Sequence, residues 1–222
     1  ECVEGLSKLR DRVPPRPFHV VRRVVEGELG QPLEEVFERF SERPIAAASL
    51  AQVHEAKIRG GERVAVKVQY PEVATLVKSD LANLRMLFRA VGVIERNVDL
   101  LPLIDELGTY VPRELDFVNE ADNAETAARQ FEGRDDVRVP RIHRELTTRR
   151  LLVMEFIDGV KITDVEELRA AGVDVQKVVQ TLVEAYCEQI LVHGFFHADP
   201  HPGNLLVEPG TSRLVMLDFG HS

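Results

Sequence analysis

Apolar residues recur at three- and four-residue steps from Pro71 to Glu95, at Val73, Leu76, Val77, Leu81, Leu84, Leu87 and Phe88; from Glu62 to Tyr70 they alternate with polar ones. The first pattern predicts an amphipathic helix and the second a half-buried strand. A further strand-like run, Gln52 to Ile58, lies before Gly60-Gly61, so the two strands predict a hairpin. Helices are predicted at Pro17 to Leu29, closed by Gly30, at Pro32 to Phe40, at Pro112 to Phe131 and at Val175 to Val192. Val137 to His143 and Arg149 to Phe156 read as strands leading to a hinge at Asp158-Gly159, and Thr163 to Glu166 as a capping box opening a short helix. Near the end, Leu205 to Val207 and Arg213 to Leu217 flank Glu208-Pro209-Gly210 as strand, turn and strand. Strands and long helices in this mixture make an α+β chain.

The candidate chemistry sits around that last hairpin. HADPHPGN, His197 to Asn204, precedes it and LDFG, Leu217 to Gly220, follows it. Phosphoryl transfer needs a carboxylate beside the acceptor oxygen and oxygen ligands that hold magnesium against nucleotide phosphates. Asp199 suits the first role, and Asn204 and Asp218 the second, because the hairpin brings the latter two together. DFG alone is weak; joined to the D-x4-N spacing it points to a kinase-like, two-lobed fold. A metal cluster of His193, His197 and His201 is the rival reading, but Pro200, Pro202 and Gly203 forbid helix across the last two.

Lys67 stands between Val66 and Val68 in the alternating strand, so its ammonium needs an anion, which nucleotide phosphates and a helix carboxylate would supply. Before the hairpin, PIAAASLAQVH at Pro44 to His54 occupies the place where a protein kinase carries glycines over the phosphates. Ala46, Ala47, Ala48 and Ser49 each carry a Cβ, which disfavours positive φ and limits close approach to a ligand. These four are the candidate nucleotide-loop residues, with a lid shaped differently from the glycine type.

Together these motifs resemble the AarF/UbiB/ADCK atypical kinase-like family. The resemblance rests on AAAS with QVH, on VAVKVQYP, on ELDFVNEADNAE at Glu114 to Glu125, on VPRIH and LLVMEFIDG, and on GFFHADPHPGN with LDFG, and it covers nearly the whole chain. It implies a protein-kinase-like fold with inserted helices that binds ATP or ADP with Mg2+ and acts as an ATPase or lipid or small-molecule kinase. By resemblance, Lys67 contacts phosphates and pairs with Glu120, Asp199 is the catalytic-loop aspartate, and Asn204 and Asp218 are the metal ligands. Gln52, Glu114 and Asp116 fall on further family signatures, Asp116 being expected one helical turn below Glu120 on the same face. The family's K-x-G-Q motif does not occur in this sequence. The expected organisation is an N-terminal helical extension at 1–42, an upper lobe at 43–157 and the start of a lower lobe at 158–222, the chain being an excerpt whose lower lobe stops after DFG. The implied setting is isoprenoid-quinone or other lipid metabolism. Lipid-pathway intermediates or lipid-biosynthetic proteins are the implied partners, with peripheral membrane association, in a mitochondrion, a chloroplast or at a bacterial inner membrane.

Composition narrows this further. With 222 residues, 44% of them hydrophobic, the chain can bury a real core. A net charge of −9 without an extended basic face argues against a nucleic-acid partner. Cys2 and Cys187 make no disulfide framework, and no apolar run approaches the roughly 20 residues that cross a bilayer. The Pro71–Glu95 helix reads as an insertion between Lys67 and Glu120, with packing preferred to a membrane-surface role because its polar side carries no basic excess. His201 stands where a protein kinase has lysine, which predicts slow transfer. Two other classes remain open: a small-molecule phosphotransferase of the aminoglycoside or choline kinase type, sharing H-x-D-x4-N, and a nucleotide-binding scaffold without turnover.

Overall fold

A computed structural model describes residues 14–94, 104–108, 111 and 115–220. Its upper part is built on an antiparallel sheet of β1 (Phe37–Phe40), β3 (Ala51–Ile58), β4 (Arg63–Gln69) and β6 (Leu151–Glu155) in that order, with the two-residue β2 (Ala46–Ala47) paired to β3. Strict alternation in β4 sends Val64, Val66 and Val68 to one face, where helix α1 (Phe18–Leu29) covers them with Val21, Val24 and Val25. Lys67 therefore points to the opposite face.

On that opposite face lies helix α4 (Phe117–Gln130), and its packing divides along its length. Phe117 and Ala121 pack on Ala51 and Leu152 of the upper sheet. Ala124 and Ala127, with Phe131 just beyond the helix, belong instead to the lower core, with Leu205, Leu214, Met216 and Phe219. Small side chains at three-residue steps let α4 lie close to both parts at once. The lower sheet runs β5 (Val137–Arg138), β9 (Arg213–Met216), β8 (Leu205–Glu208), β7 (Val160–Lys161), with β5 and β9 parallel. Its core is closed by α5 (Val165–Ala170) and α6 (Val175–Glu188).

Several elements differ from the pattern-based expectation. Helix α2 spans only Leu33–Val36, and the chain then turns into β1, because Phe37 is drawn into the upper core and pairs with Ile58. The Val137–His143 strand shortens to two residues in the lower sheet, although Ile142 still bridges Met154 of the upper one, so this segment straps the two sheets together. The cap of α5 is Asp164, accepting from Glu167 N, one residue beyond the proposed box. Helix α6 ends at Glu188 and gives way to a π turn, Gln189–His193, closed by Gly194 in the left-handed region.

Helix α3 (Val73–Ile94) departs most from the packing expected of it. Val73 is buried, but Leu76, Leu84, Met86 and Leu87 are exposed, and Val77, Leu81 and Phe88 are half-buried. Arg85 pairs with Asp105 of the short helical stretch 104–108. Among the described residues no helix is long and apolar enough to cross a membrane.

Candidate active site

Lys67 and Glu120 meet across the gap between β4 and α4. The Lys67 ammonium lies 2.7 Å from Glu120 Oε1 and 2.9 Å from Oε2, and 3.3 Å from Asp218 Oδ2. Burial alone would lower the Lys67 pKa, but the two carboxylates outweigh it and hold it above its ordinary value. Burial pushes Glu120 up to about 7, with the Lys67 charge opposing and the Asp218 charge adding. Burial would also raise Asp218, yet the Lys67 cation and the Gly220 N–H keep it below the usual aspartate range.

Asp218 has φ 58°, a left-handed conformation that aspartate tolerates when its side chain bonds locally, as here, where Oδ1 accepts from Gly220 N at 3.3 Å. A Cβ on Gly220 would stand 3.2 Å from that same oxygen, so the glycine allows the turn to fold this tightly.

The second half of the site follows from the β8–β9 register. Leu205 pairs with Met216, and one step further Leu217 N donates to Asn204 O at 2.8 Å, placing Asn204 beside the residue that precedes Asp218. Asn204 Nδ2 donates to Asp199 Oδ2 at 3.1 Å. That commits the amide nitrogen and leaves the amide oxygen as the group to face a cation. A carboxylate and an amide oxygen are the hard oxygen donors that Mg2+ takes. Asp199 is half-buried, and the Tyr186 hydroxyl is raised to about 12, first by burial and then by the Asp199 charge.

The three histidines serve three separate purposes. His193 lies 3.5 Å from Glu188, His197 is buried with Nε2 donating to Leu217 O at 2.8 Å, and His201 Nδ1 accepts from Gly203 N at 3.0 Å, capping the turn that carries Asn204. Among the described residues no group of three or more His, Cys, Asp or Glu side chains forms a metal cluster.

The alanine-rich loop folds as a hairpin: Ala46 pairs with Val53, Ala47 with Gln52, and Ala48 N donates to Ala51 O at 2.9 Å. Ser49 and Leu50 form its exposed tip, and none of its residues takes a positive φ. Gln52 lies beneath it and does not reach the carboxylates. Its amide grips the Arg16 backbone, accepting from Arg16 N at 2.7 Å, and also donates to His54 Nε2 at 2.9 Å. Arg16 is held as well by Tyr70, 4.6 Å beneath its guanidinium, and by Glu72.

Asp116 corrects the helical-face expectation. It precedes α4 as its N-cap, accepting from Val118 N at 3.0 Å and lying 3.4 Å from Arg149 Nε, because the helix starts at Phe117 and not at Pro112. Glu114 lies outside the described residues. Asn123 and Gln189 are two further residues that the structure adds around the site. Asn123 Nδ2 donates to Phe219 O at 2.9 Å, and Gln189 is fully buried behind the Asp199 loop. The signal for Gln189 was available: it continues the stripe Val178, Thr181, Ala185 of buried positions on α6.

Residues 8–222 match the ABC1 atypical kinase-like domain. The chain is similar to the Arabidopsis thaliana protein "ACTIVITY OF BC1 COMPLEX KINASE 8, chloroplastic", 42% identical over 99% of this chain and 30% of that protein. It is also similar to the Xenopus tropicalis "AarF domain-containing protein kinase 1", 41% identical over 99% of this chain and 43% of its relative, so it spans less than half of either. Among solved structures, the Mycobacterium tuberculosis Rv3197–erythromycin complex superposes with a TM-score of 0.81 and 30% identity, covering 98% of this chain and 54% of that one. With the fold and the family match in agreement, this chain belongs to the ABC1 atypical kinase-like family.

Proposed function

We propose that this chain is the nucleotide-handling part of an atypical kinase or ATPase that takes Mg-ATP or ADP. The observation that carries the reading is the convergence of Lys67, Glu120 and Asp218 on one side and Asp199 and Asn204 on the other, joined through the Leu217–Asn204 backbone bond. Asp218 and the Asn204 amide oxygen would hold the magnesium, which supplies charge neutralisation for the phosphate oxygens. Lys67, oriented by Glu120, would bind the α/β-phosphates, and Ala46, Ala47, Ala48 and Ser49 would cover them. Asp199, fixed by Asn204, orients the acceptor hydroxyl or water and takes its proton. His201, with Nδ1 used in its own cap, presents Nε2–H outward, a weaker partner for phosphate than the lysine of a protein kinase.

By family, the client is an isoprenoid-quinone or other lipid-pathway intermediate or a lipid-biosynthetic protein, reached by peripheral membrane association. The setting is a mitochondrion, a chloroplast or a bacterial inner-membrane surface. The lobe division at 43–157 and 158–222 forms part of the same proposal, with the segment before 43 as an extension whose described part, α1, α2 and β1, packs into the upper sheet and its core. The test is phosphate release from Mg-ATP: Asp199→Asn keeps wild-type nucleotide affinity and loses about 100-fold or more in turnover. Equal turnover in the variant would remove Asp199 from the chemistry.

A further inference from the structure

Gln189 has an environment that the nucleotide site as described does not account for. It is fully buried, at a position where the α6 stripe would otherwise place an apolar side chain, and it opens the π turn Gln189–His193. Burying an amide is unfavourable unless both ends are bonded, so a buried glutamine in this stripe needs two partners. Both are present. Gln189 Oε1 accepts from His197 N at 3.3 Å, and Gln189 Nε2 donates to Gln130 Oε1 at 3.3 Å. Gln130, at the last turn of α4, in turn donates to Phe195 O at 3.2 Å.

The two glutamines thus grip the backbone on either side of Phe196, at the Phe195 carbonyl and the His197 N–H, two residues before Asp199. They tie that entry point to the far end of the helix that carries Glu120. Gln189 keeps the inward direction of the α6 stripe, and the π turn that begins at it carries the chain on through His193 to Gly194 and the Asp199 loop.

We infer that Gln189 is a positioning residue that, through Gln130, fixes the start of the Asp199 loop in register with the Glu120 helix. It touches neither nucleotide nor acceptor; it keeps the two halves of the site at a constant separation. The kinetic consequence rests on the phosphoryl-transfer reading above, whereas the structural one does not.

The experiment compares wild type, Gln189→Leu, Gln130→Leu and the double variant in the full chain, by amide hydrogen exchange at His197 and by Mg-ATP turnover well below the melting temperature. His197 exchange is expected to quicken about tenfold in each single variant. Turnover falls about tenfold or more at unchanged nucleotide KM, and the double variant is no worse than the poorer single one, because both act through one relay. Unchanged His197 exchange in Gln189→Leu, or single-variant losses that multiply, overturns the relay. Should Gln189→Leu fail to fold, Gln130→Leu, whose side chain is only half-buried, decides by the same two readouts. Absence of turnover in wild type would defeat the phosphoryl-transfer reading and leave the exchange result to judge the relay.

Discussion

Lys67 and Glu120 form a buried ion pair, with the ammonium 2.7 Å from the carboxylate and side-chain exposures of 16% and 5%. Such a pair contributes little net stability relative to apolar groups, yet breaking it strands a charge. Lys67→Met is therefore expected to cost about 3 kcal/mol, leaving Glu120 facing Asp218, and Lys67→Met/Glu120→Leu to recover most of that loss. Urea titration of the four proteins of this cycle measures it; additive losses would show that the two residues do not act as a pair.

Asp116 caps α4 in this structure, which makes helix stability the first property that its removal should change. Asp116→Ala should lower stability by about 1 kcal/mol through loss of the α4 cap, while Asp116→Ser recovers it, and nucleotide affinity stays at the wild-type value in both. A large affinity loss in Asp116→Ser would mean that the carboxylate is needed in its own right.

His54 makes the upper lobe sensitive to acid. Burial lowers its pKa, against the raising effect of its bond to Ser41 O at 2.7 Å. Its surroundings are Gln52, the Ser41 carbonyl and the rings of Phe18 and Phe40, and among the described residues no carboxylate pairs with it. Nδ1 donates to Ser41 O, so Nε2 must accept from the Gln52 amide, and a proton there would set two donors against each other. Because the folded state holds the proton less tightly than the unfolded chain, stability is complete above the ordinary value of 6.5 and is lost as pH falls below it. The loss is at most about 1.4 kcal/mol per pH unit. Thermal unfolding from pH 7.5 to 5.5 should show this slope in wild type and a flatter one in His54→Gln; parallel curves would rule out His54 as its source.

The alanine loop closes its hairpin without a left-handed residue, so its backbone amides are set by β pairing with β3. Ala47→Gly should loosen that pairing and change both nucleotide affinity and turnover by several-fold, as read by titration and steady-state rates. A variant identical to wild type in both would separate loop shape from nucleotide handling.

The sequence made the α+β, kinase-like architecture legible wherever pattern and punctuation agreed. Lys67 in its β-branched run, the hairpin that joins Asn204 to Asp218, and Gly30 as a helix cap could each be read from neighbours a few positions away. What could not be read depends on contacts distant in sequence. Phe37 leaves its helix because the upper core takes its ring, and β5 abandons the upper sheet for β9. The stripe on α3 is regular, yet it stays largely exposed, since periodicity shows which face is apolar but not what covers it. Asp116 illustrates a finer limit: the same carboxylate one turn from Glu120 reads as helix face or as cap, and only the point where the helix begins distinguishes them.

Whether Asp218 holds magnesium against a nucleotide beside Lys67 and Glu120 is read from a thermal shift with ATP or ADP, with and without magnesium. At about 100-fold over Kd, binding should add roughly 2.7 kcal/mol to wild type, a shift of several degrees that requires the metal and disappears in Asp218→Asn. A full, magnesium-dependent shift in Asp218→Asn would contradict the account.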